Sequence, residues 1–462
     1  MWSELFLSKG EDYTNTFLKR AKGAALNISA HHKDPDAAWM LLSPRTEQIK
    51  CLNFVHKEWG DIQRFADRIS GPLPLLQTLT IHNPDEDRLG PDMVDRPSPS
   101  LFSNAVNLRV FRLHSSSERS PLLSHFAFPK LVSFDFMTTP DELFIVSQLL
   151  DFLEASPMLQ TIRMTIIADA LYRATVHGRV VVLPNVKKFT LVMGDGSDGG
   201  SSMIGYDIAT YLSCPSVRST TFVHMGDHTC EIPPGEMFPK PDAWRAIVSQ
   251  YTRRPIEEVE LEIRPVFPIT GKLTFRSSDA NTIKLCFKLD PGDGTKPGSQ
   301  LPSEGMHEAV FTQAVRTIRD HPQREEIKRL RICHSFRSFG PARVPHIANE
   351  VKQLFNSLGC LDQLSIHHCD LQPYIYPFLH CSEYHIEKLF PPTKRLEISH
   401  PLGLTEGETF AIVTLARVQH ALGYCFEGVT IRACEDIVSV RVKEMLGLWV
   451  DGGEYFSESD DD

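Results

Sequence analysis

The chain has 462 residues, 42% of them hydrophobic and 23% charged, which supplies a large core with the balance of an ordinary globular protein. Its net charge of -10 argues against a broad basic face for nucleic acid. The ten cysteines include no C-x-x-C pair, the N-terminus MWSELFLSKGEDY has no basic leader, and no run reaches about eighteen apolar residues, so neither a zinc ribbon, a secretory leader nor a membrane span is expected. The expectation is a soluble cytoplasmic or nuclear protein with reduced thiols.

In chain order, one short phrase recurs: apolar-x-x-apolar-x-apolar. It stands in IKCLNF from Ile49, LLQTLTI around Leu76, LRVFRL from Leu108 and LVSFDF from Leu131. A helix-like stretch, DELFIVSQLLDFLEAS, precedes the next copy, LQTIRM from Leu159, and VKKFTL from Val186 follows. Then come VRSTTF from Val217, the helical pattern DAWRAIVSQYTRR, and IEEVEL from Ile256. A hairpin-like stretch, GKLTFRSSDANTIKLCFKL, holds the copy at Thr282 and leaves the register open between Ile256 and Ile327. The remaining copies begin at Ile327, Leu361, Thr393 and Phe426, separated by MHEAVFTQAVRTIRDH, IANEVKQLFNSLG and TFAIVTLARVQHALGY, each with helical apolar spacing.

The thirteen copies are about 31 residues apart on average, inside the 20–50 residue period of repeat architectures. Such a unit cannot cover its own apolar face and must stack on its neighbours. The copy LDQLSIHHCDL fits the leucine-rich-repeat phrase at every defined position, with Cys369 where asparagine or cysteine belongs; FEGVTIRACED repeats this with Cys434. The expected fold is therefore α/β, an irregular leucine-rich-repeat solenoid over 41–450: a curved parallel sheet with helices on its convex side. Segment 1–40 precedes it, and the acidic tail 451–462 follows. Within LDQLSIHHCDL, alternation directs Leu364 and Ile366 to the core and leaves Gln363, Ser365 and His367 on the open face. Zinc binding by His367, His368 and Cys369 with His380, Cys381 and His385 is the competing reading, but the ligand spacing is wrong for a tetrahedral site.

The N-terminal run MWSELFLSKGEDYTNTFLKRAKGAALNISA resembles the segment just after the F-box in the large mushroom-type fungal family of F-box and leucine-rich-repeat proteins. The matching features are Trp2 within Met1 to Leu7, a helix carrying Phe17, Leu18, Arg20 and Gly23, and a short strand from Ala25 to Ile28. The lines FPKLVSFDF and LPNVKKFTL and the acidic end after LGLWVDGGEY are also similar. The resemblance implies a substrate-recognition part of an SCF ubiquitin ligase, with the F-box itself largely lying before Ser3. Either the natural product begins further upstream and docks on the SCF adaptor, or the protein acts uncoupled as a free-standing interaction scaffold.

Candidate contacts come from the open face of the strands. Arg112, His114, Arg163 and Lys188 offer charge-assisted bonds to an acidic or phosphorylated segment. Glu258, Glu260 and Glu262 share one strand, Lys284 and Lys288 are expected on the next, then Arg329 and Arg331, and His367 completes the set. The bland alternative is that neighbouring opposite charges satisfy one another. The expected partner is a protein ligand or ubiquitination substrate, with no nucleic acid, membrane, metal or cofactor. GDGSDG, Gly194 to Gly199, is a formal dinucleotide motif between a strand and a helix from Ser202, but Asp195 and Asp198 would oppose a pyrophosphate and a surface loop is the better reading. No H-E-x-x-H, Walker or G-x-S-x-G set occurs; His307 and Glu308 are half of a zinc-protease motif. The runs from Pro84 and from Asp290 read as long insertions, and Ser457 and Ser459 as candidate phosphoacceptors.

Overall fold

The computed structural model describes residues 4–31, 34, 40–55, 67, 69, 71–83, 102–115, 123, 126–138, 146–168, 178–195, 201–227, 238–264, 269–290, 304–334, 344–359, 361–367, 371–379, 390–400, 404–433 and 446–450. The fold is mixed α/β with mostly parallel strands. The chain divides into two compact units, Met1–Thr220 and Thr221–Asp462.

In the first unit the strands β1 (Glu4–Phe6), β2 (Leu26–His31), β3 (Ile49–Val55), β4 (Thr78–Asn83), β5 (Val110–Ser115), β6 (Ser133–Thr138) and β7 (Thr161–Ala168) pair in chain order, each parallel to the next. The short β8 (Val181–Val182) stands apart, and β9 (Lys188–Asp195) pairs with β7. β8 pairs in parallel with β10 (Leu212–Ser213), and β11 (Ser219–Asp227) carries the chain across the unit boundary. Segment 1–40 is drawn into this ladder through β1 and β2.

Register explains why the phrase folds this way. Its second and third apolar residues line up across strands as two buried rows. One row is Leu52, Leu79, Phe111, Phe134, Ile162 and Phe189; the other is Phe54, Ile81, Leu113, Phe136, Met164 and Leu191. The Phe134 ring centre lies 4.7 Å from that of Phe152, tilted against it from the helix Val146–Glu154, and Phe134 stacks on Phe111 at 5.9 Å. The phrase's first apolar residue closes a turn before each strand. Its amide donates to the carbonyl three residues back: Leu76 to Leu73, Leu108 to Ala105, Leu131 to Phe128, Leu159 to Ser156, Val186 to Leu183 and Val217 to Cys214, at 3.0–3.4 Å. Proline follows the acceptor residue at positions 74, 129, 157, 184 and 215, where its fixed φ presets the turn. The next carbonyl along, of Gln77, Arg109, Val132, Gln160 and Lys187, accepts two amides from the following repeat at 2.8–3.2 Å. Turn and strand start are thus specified together.

The second unit repeats the rows with other residues. Its strand order is β14 (Thr282–Asp290), β13 (Ile269–Ser277), β12 (Ile256–Arg264), β15 (Arg329–His334), β16 (Leu361–His367), β17 (Thr393–His400) and β18 (Gly428–Ala433). Val259, Leu330, Leu364, Leu396 and Val429 form one buried row; Leu261, Ile332, Ile366, Ile398 and Ile431 form the other. β13 runs antiparallel to both of its neighbours. It places Gly271 opposite Phe287, where any Cβ would overlap the phenyl ring. Helices Glu304–Arg319, Val344–Ser357, Gln372–Leu379 and Glu406–Ala421 pack successively on one another. The last opens with a reciprocal Thr405–Glu408 capping box, which satisfies two of its free amides. The first two are laced by Arg316 and Arg319 on Glu350, at 2.6 and 3.3 Å. That hydrogen bond from Arg316 overcomes burial and holds the Glu350 carboxyl below the usual carboxylate range.

All thirteen phrases run into strands, and the five helical stretches read between them are helices. The expected order at the hairpin is corrected: β13 separates β14 from β12, and β12 turns its other edge to β15. The phrase does not describe ITGKLTFRS, so the repeat pattern offered no place for that strand. The tail 451–462, His368, Cys369, Cys434, the His380–His385 cluster, the run from Pro84 and positions 291–303 of the run from Asp290 lie outside the described residues.

Candidate functional site

The face opposite the buried rows is polar in both units, because side chains alternate along a strand. In the first unit its central row reads Asn53, Thr80, Arg112, Asp135, Arg163 and Thr190 in register. The row beside it contains His82, His114, Met137 and Thr165, and the row on the other side contains Ser133, Thr161 and Lys188. Four of the expected residues, Arg112, His114, Arg163 and Lys188, are therefore brought together on adjoining strands.

Asp135 organises them. His114 Nε2 lies 3.7 Å from its carboxylate, and Arg112 and Arg163 occupy the register positions on either side. Burial would push the Asp135 carboxyl up, but the His114 hydrogen bond and charge, with both guanidiniums, hold it below the usual range. His82 packs edge-on against His114, ring centres 5.9 Å apart. Burial first, and the neighbouring imidazole second, push His82 below an ordinary histidine. Arg112, Arg163 and Lys188 are exposed, and among the described residues none of them has a carboxylate within 4.0 Å. Two guanidiniums about 10 Å apart, two strand spacings, bracket one carboxylate and remain open to an anion.

The second unit uses its face differently. Glu258, Glu260 and Glu262 alternate on β12, as expected, and β15 presents Arg329 and Arg331 directly opposite the first two. Arg329 reaches Glu258 at 3.1 Å and Arg331 reaches Glu260 at 3.7 Å. On the other flank Arg276 of β13 donates to Glu258 and, at 2.9 Å, to Glu260. Arg264 holds Glu262 at 2.6 Å. Each carboxylate is held by at least one arginine, the Glu260 side chain is only 14% exposed, and any ligand must compete with these pairs. Lys284 sits on β14 with Thr274 between it and Glu260, two strands away and not one. Lys288 lies further along the same strand, opposite Thr270.

His367 is the clearest departure. It belongs to the open face by register, between Cys333 and Ser399, yet it is only 8% exposed. Glu397 explains this: it accepts from Gln363 and Ser365 at 3.0 Å each, with His367 at 4.0 Å and Arg432 at 3.5 Å, so the side chains lie down over one another. His82, Asp135, Arg276 and Glu397 were not singled out from sequence. Three of them occupy open positions of recognisable strands, the same signal that picked out Arg112 and Arg163. Arg276 alternates with Leu273 and Phe275 in the hairpin-like stretch, but nothing local in the sequence places it beside Glu258 and Glu260.

Among the described residues no group of three or more His, Cys, Asp or Glu side chains is arranged to hold a metal ion. β9 ends at Asp195 and a helix begins at Ser201, on either side of the Gly194–Gly199 motif, whose residues 196–199 lie outside the described ones. Glu308 is 3.3 Å from His346 on the adjacent helix. No described helix is long and apolar enough to cross a membrane. No protein-family model matches the chain, and no curated protein matches it.

Proposed function

We propose that the chain is a non-enzymatic protein-recognition module built of irregular leucine-rich repeats, and that the open face of its first unit holds a partner protein. The repeated turn–strand phrase, its aligned buried rows and the two-amide hydrogen bonds at each strand start support the repeat reading. One observation carries the functional reading: Arg112 and Arg163 flank Asp135 without ion pairs among the described residues, on a face whose other positions include Thr80, Thr190, His82, His114 and Met137. Such unpaired guanidiniums suit an acidic or phosphorylated protein segment. The resemblance to the mushroom-type F-box family makes substrate selection for ubiquitination the specific role, with the chemistry in partner subunits. A free-standing scaffold differs only in lacking that coupling.

Affinity capture from a fungal lysate, comparing the wild-type chain with R112E/R163E, tests this. A set of proteins retained by the first and lost by the second is expected; identical captures would refute the face as a binding surface. Recovery of an SCF adaptor and cullin in near-stoichiometric amounts separates the ligase role from the scaffold.

A further inference from the structure

A second surface of the first unit, the row of turns that precede its strands, has a character of its own. Six such turns, from Leu73–Leu76 to Cys214–Val217, follow one another at the strand spacing. Five intervals of about 4.8 Å give a rim about 24 Å long. Cross-turn bonds tie part of it together: Asn107 Nδ2 donates to the Pro74 carbonyl at 2.9 Å, Lys130 Nζ to Asn107 Oδ1 at 2.9 Å, and Asn185 Nδ2 to the Pro157 carbonyl at 3.0 Å.

Segments 71–77, 102–109, 126–132, 155–160, 178–188 and 211–220 contain no aspartate or glutamate. They do contain Arg109 and Lys187, both exposed and, among the described residues, without a carboxylate partner. Asp151 and Glu154, at the end of the helix leading into the fourth turn, are both held by Arg179, at 2.7 and 2.5 Å. Along the same rim stand aliphatic side chains that the fold leaves open: Leu75, Val106, Met158 and Val182 are 46–60% exposed. In a chain of net charge -10, an acid-free, cationic and aliphatic stripe is a local reversal of composition. Leu75, Val106 and Met158 are turn positions, Arg109 and Lys187 follow turns directly, and Val182 lies in β8, places whose backbone roles demand neither charge nor apolarity.

We infer that this rim is a docking stripe for a protein segment of about seven extended residues that alternates acidic and aliphatic side chains. The aliphatic tips are half buried and none is aromatic, which suits a contacting chain better than insertion into a bilayer. Nucleic acid would leave the aliphatic positions unused and finds, in the rim segments, Tyr211 as the one partly exposed aromatic ring against two free cations, too little for a stacking platform. The stripe is independent of Arg112 and Arg163, so the two surfaces can succeed or fail separately.

The test is fluorescence anisotropy of a labelled heptapeptide alternating glutamate and leucine, titrated with the full chain. Saturable binding is expected, weakened at least tenfold by R109E/K187E and at least fivefold by L75D/M158D, and changed less than twofold by R112E/R163E. No saturable binding, equal binding of a peptide with lysine for glutamate, or indifference to R109E/K187E overturns the inference. So does tight association with phosphatidylserine vesicles that the peptide fails to displace. Loss of binding in R112E/R163E alone would move the peptide to the sheet face, sinking the rim while leaving the preceding proposal standing.

Discussion

The open faces of the two units are built from the same register rule and end in opposite electrostatic states. In the first unit Arg112 and Arg163 stand either side of a single Asp135 and keep their guanidiniums exposed. In the second, Arg329, Arg331 and Arg276 close on Glu258 and Glu260 from both flanks. The difference comes from one extra strand. β13 brings Arg276 against β12, so carboxylates that would face one neighbouring basic strand face two. A charged residue on a repeat surface is thus no guide to binding until its neighbours across the ladder are known. Exposed ion pairs contribute little stability, about 0–1 kcal/mol each, but they remove cations from the pool available to a ligand.

If the units share one construction beneath these faces, their buried rows should respond alike. Phe134→Ala in the first unit should cost about 3–5 kcal/mol and Ile332→Ala in the second about 2–5 kcal/mol, read by denaturant unfolding. Near-zero cost for either would break the equivalence. A second asymmetry lies in the cores. His321, fully buried between Trp244 and Phe275, is pushed down to about 3 by burial. Its folded pKa lies below its unfolded value, so the unfolded chain takes the proton first. Stability should fall as pH drops below about 6.5 and level off near the folded value, by up to about 1.4 kcal/mol per pH unit. His321→Asn keeps an acceptor for the Gln323 amide, which now bonds Nδ1 at 3.1 Å. It should flatten that slope in urea melts between pH 6 and 4; an unchanged slope assigns the acid sensitivity elsewhere.

The faces themselves are compared by Arg276→Gln and Arg112→Gln. The first strips a shared partner from two carboxylates, one of them mostly buried, and should destabilise by about 1–2 kcal/mol. The second should stay within about 0.5 kcal/mol of wild type while weakening the partner captured through the first unit. Equal stability losses would mean that Arg112 is tied into the fold no less firmly than Arg276.

Much of this was legible in the sequence because the phrase couples three requirements in six residues. Leu131, Phe134 and Phe136 set turn, strand and core side at once, so the strand positions and the alternation followed from spacing alone. The N-terminal helix and strand were legible only through family resemblance, since Glu11–Ala21 stands outside the repeat pattern. Three things were not legible. The insertion of β13 was hidden because GKLTFRS alternates like any strand and nothing local says which edge it joins. The burial of His367 was hidden because it depends on Glu397, a residue thirty positions away that lies over it. The ring of groups around Asp135 was half legible: LVSFDF marks its strand, but the meeting with Arg112 and Arg163 depends on the register across β5, β6 and β7.

Asp135 itself offers the smallest and most discriminating test. Asp135 is held ionised by His114, Arg163 and Arg112 against the cost of burial, so its folded pKa is depressed. Its contribution to stability is present above the unfolded value of about 3.9 and is lost as pH falls through the folded value. With its side chain 25% exposed, that contribution is under about 1 kcal/mol. Asp135→Asn should therefore barely shift the urea midpoint at pH 7. It should, however, leave the two guanidiniums with no anion between them, and an acidic partner should bind about two- to fivefold more tightly, with the gain shrinking as salt rises. Weaker binding in Asp135→Asn would mean that the carboxylate itself contacts the partner, which would then have to present a cation between its two acidic groups.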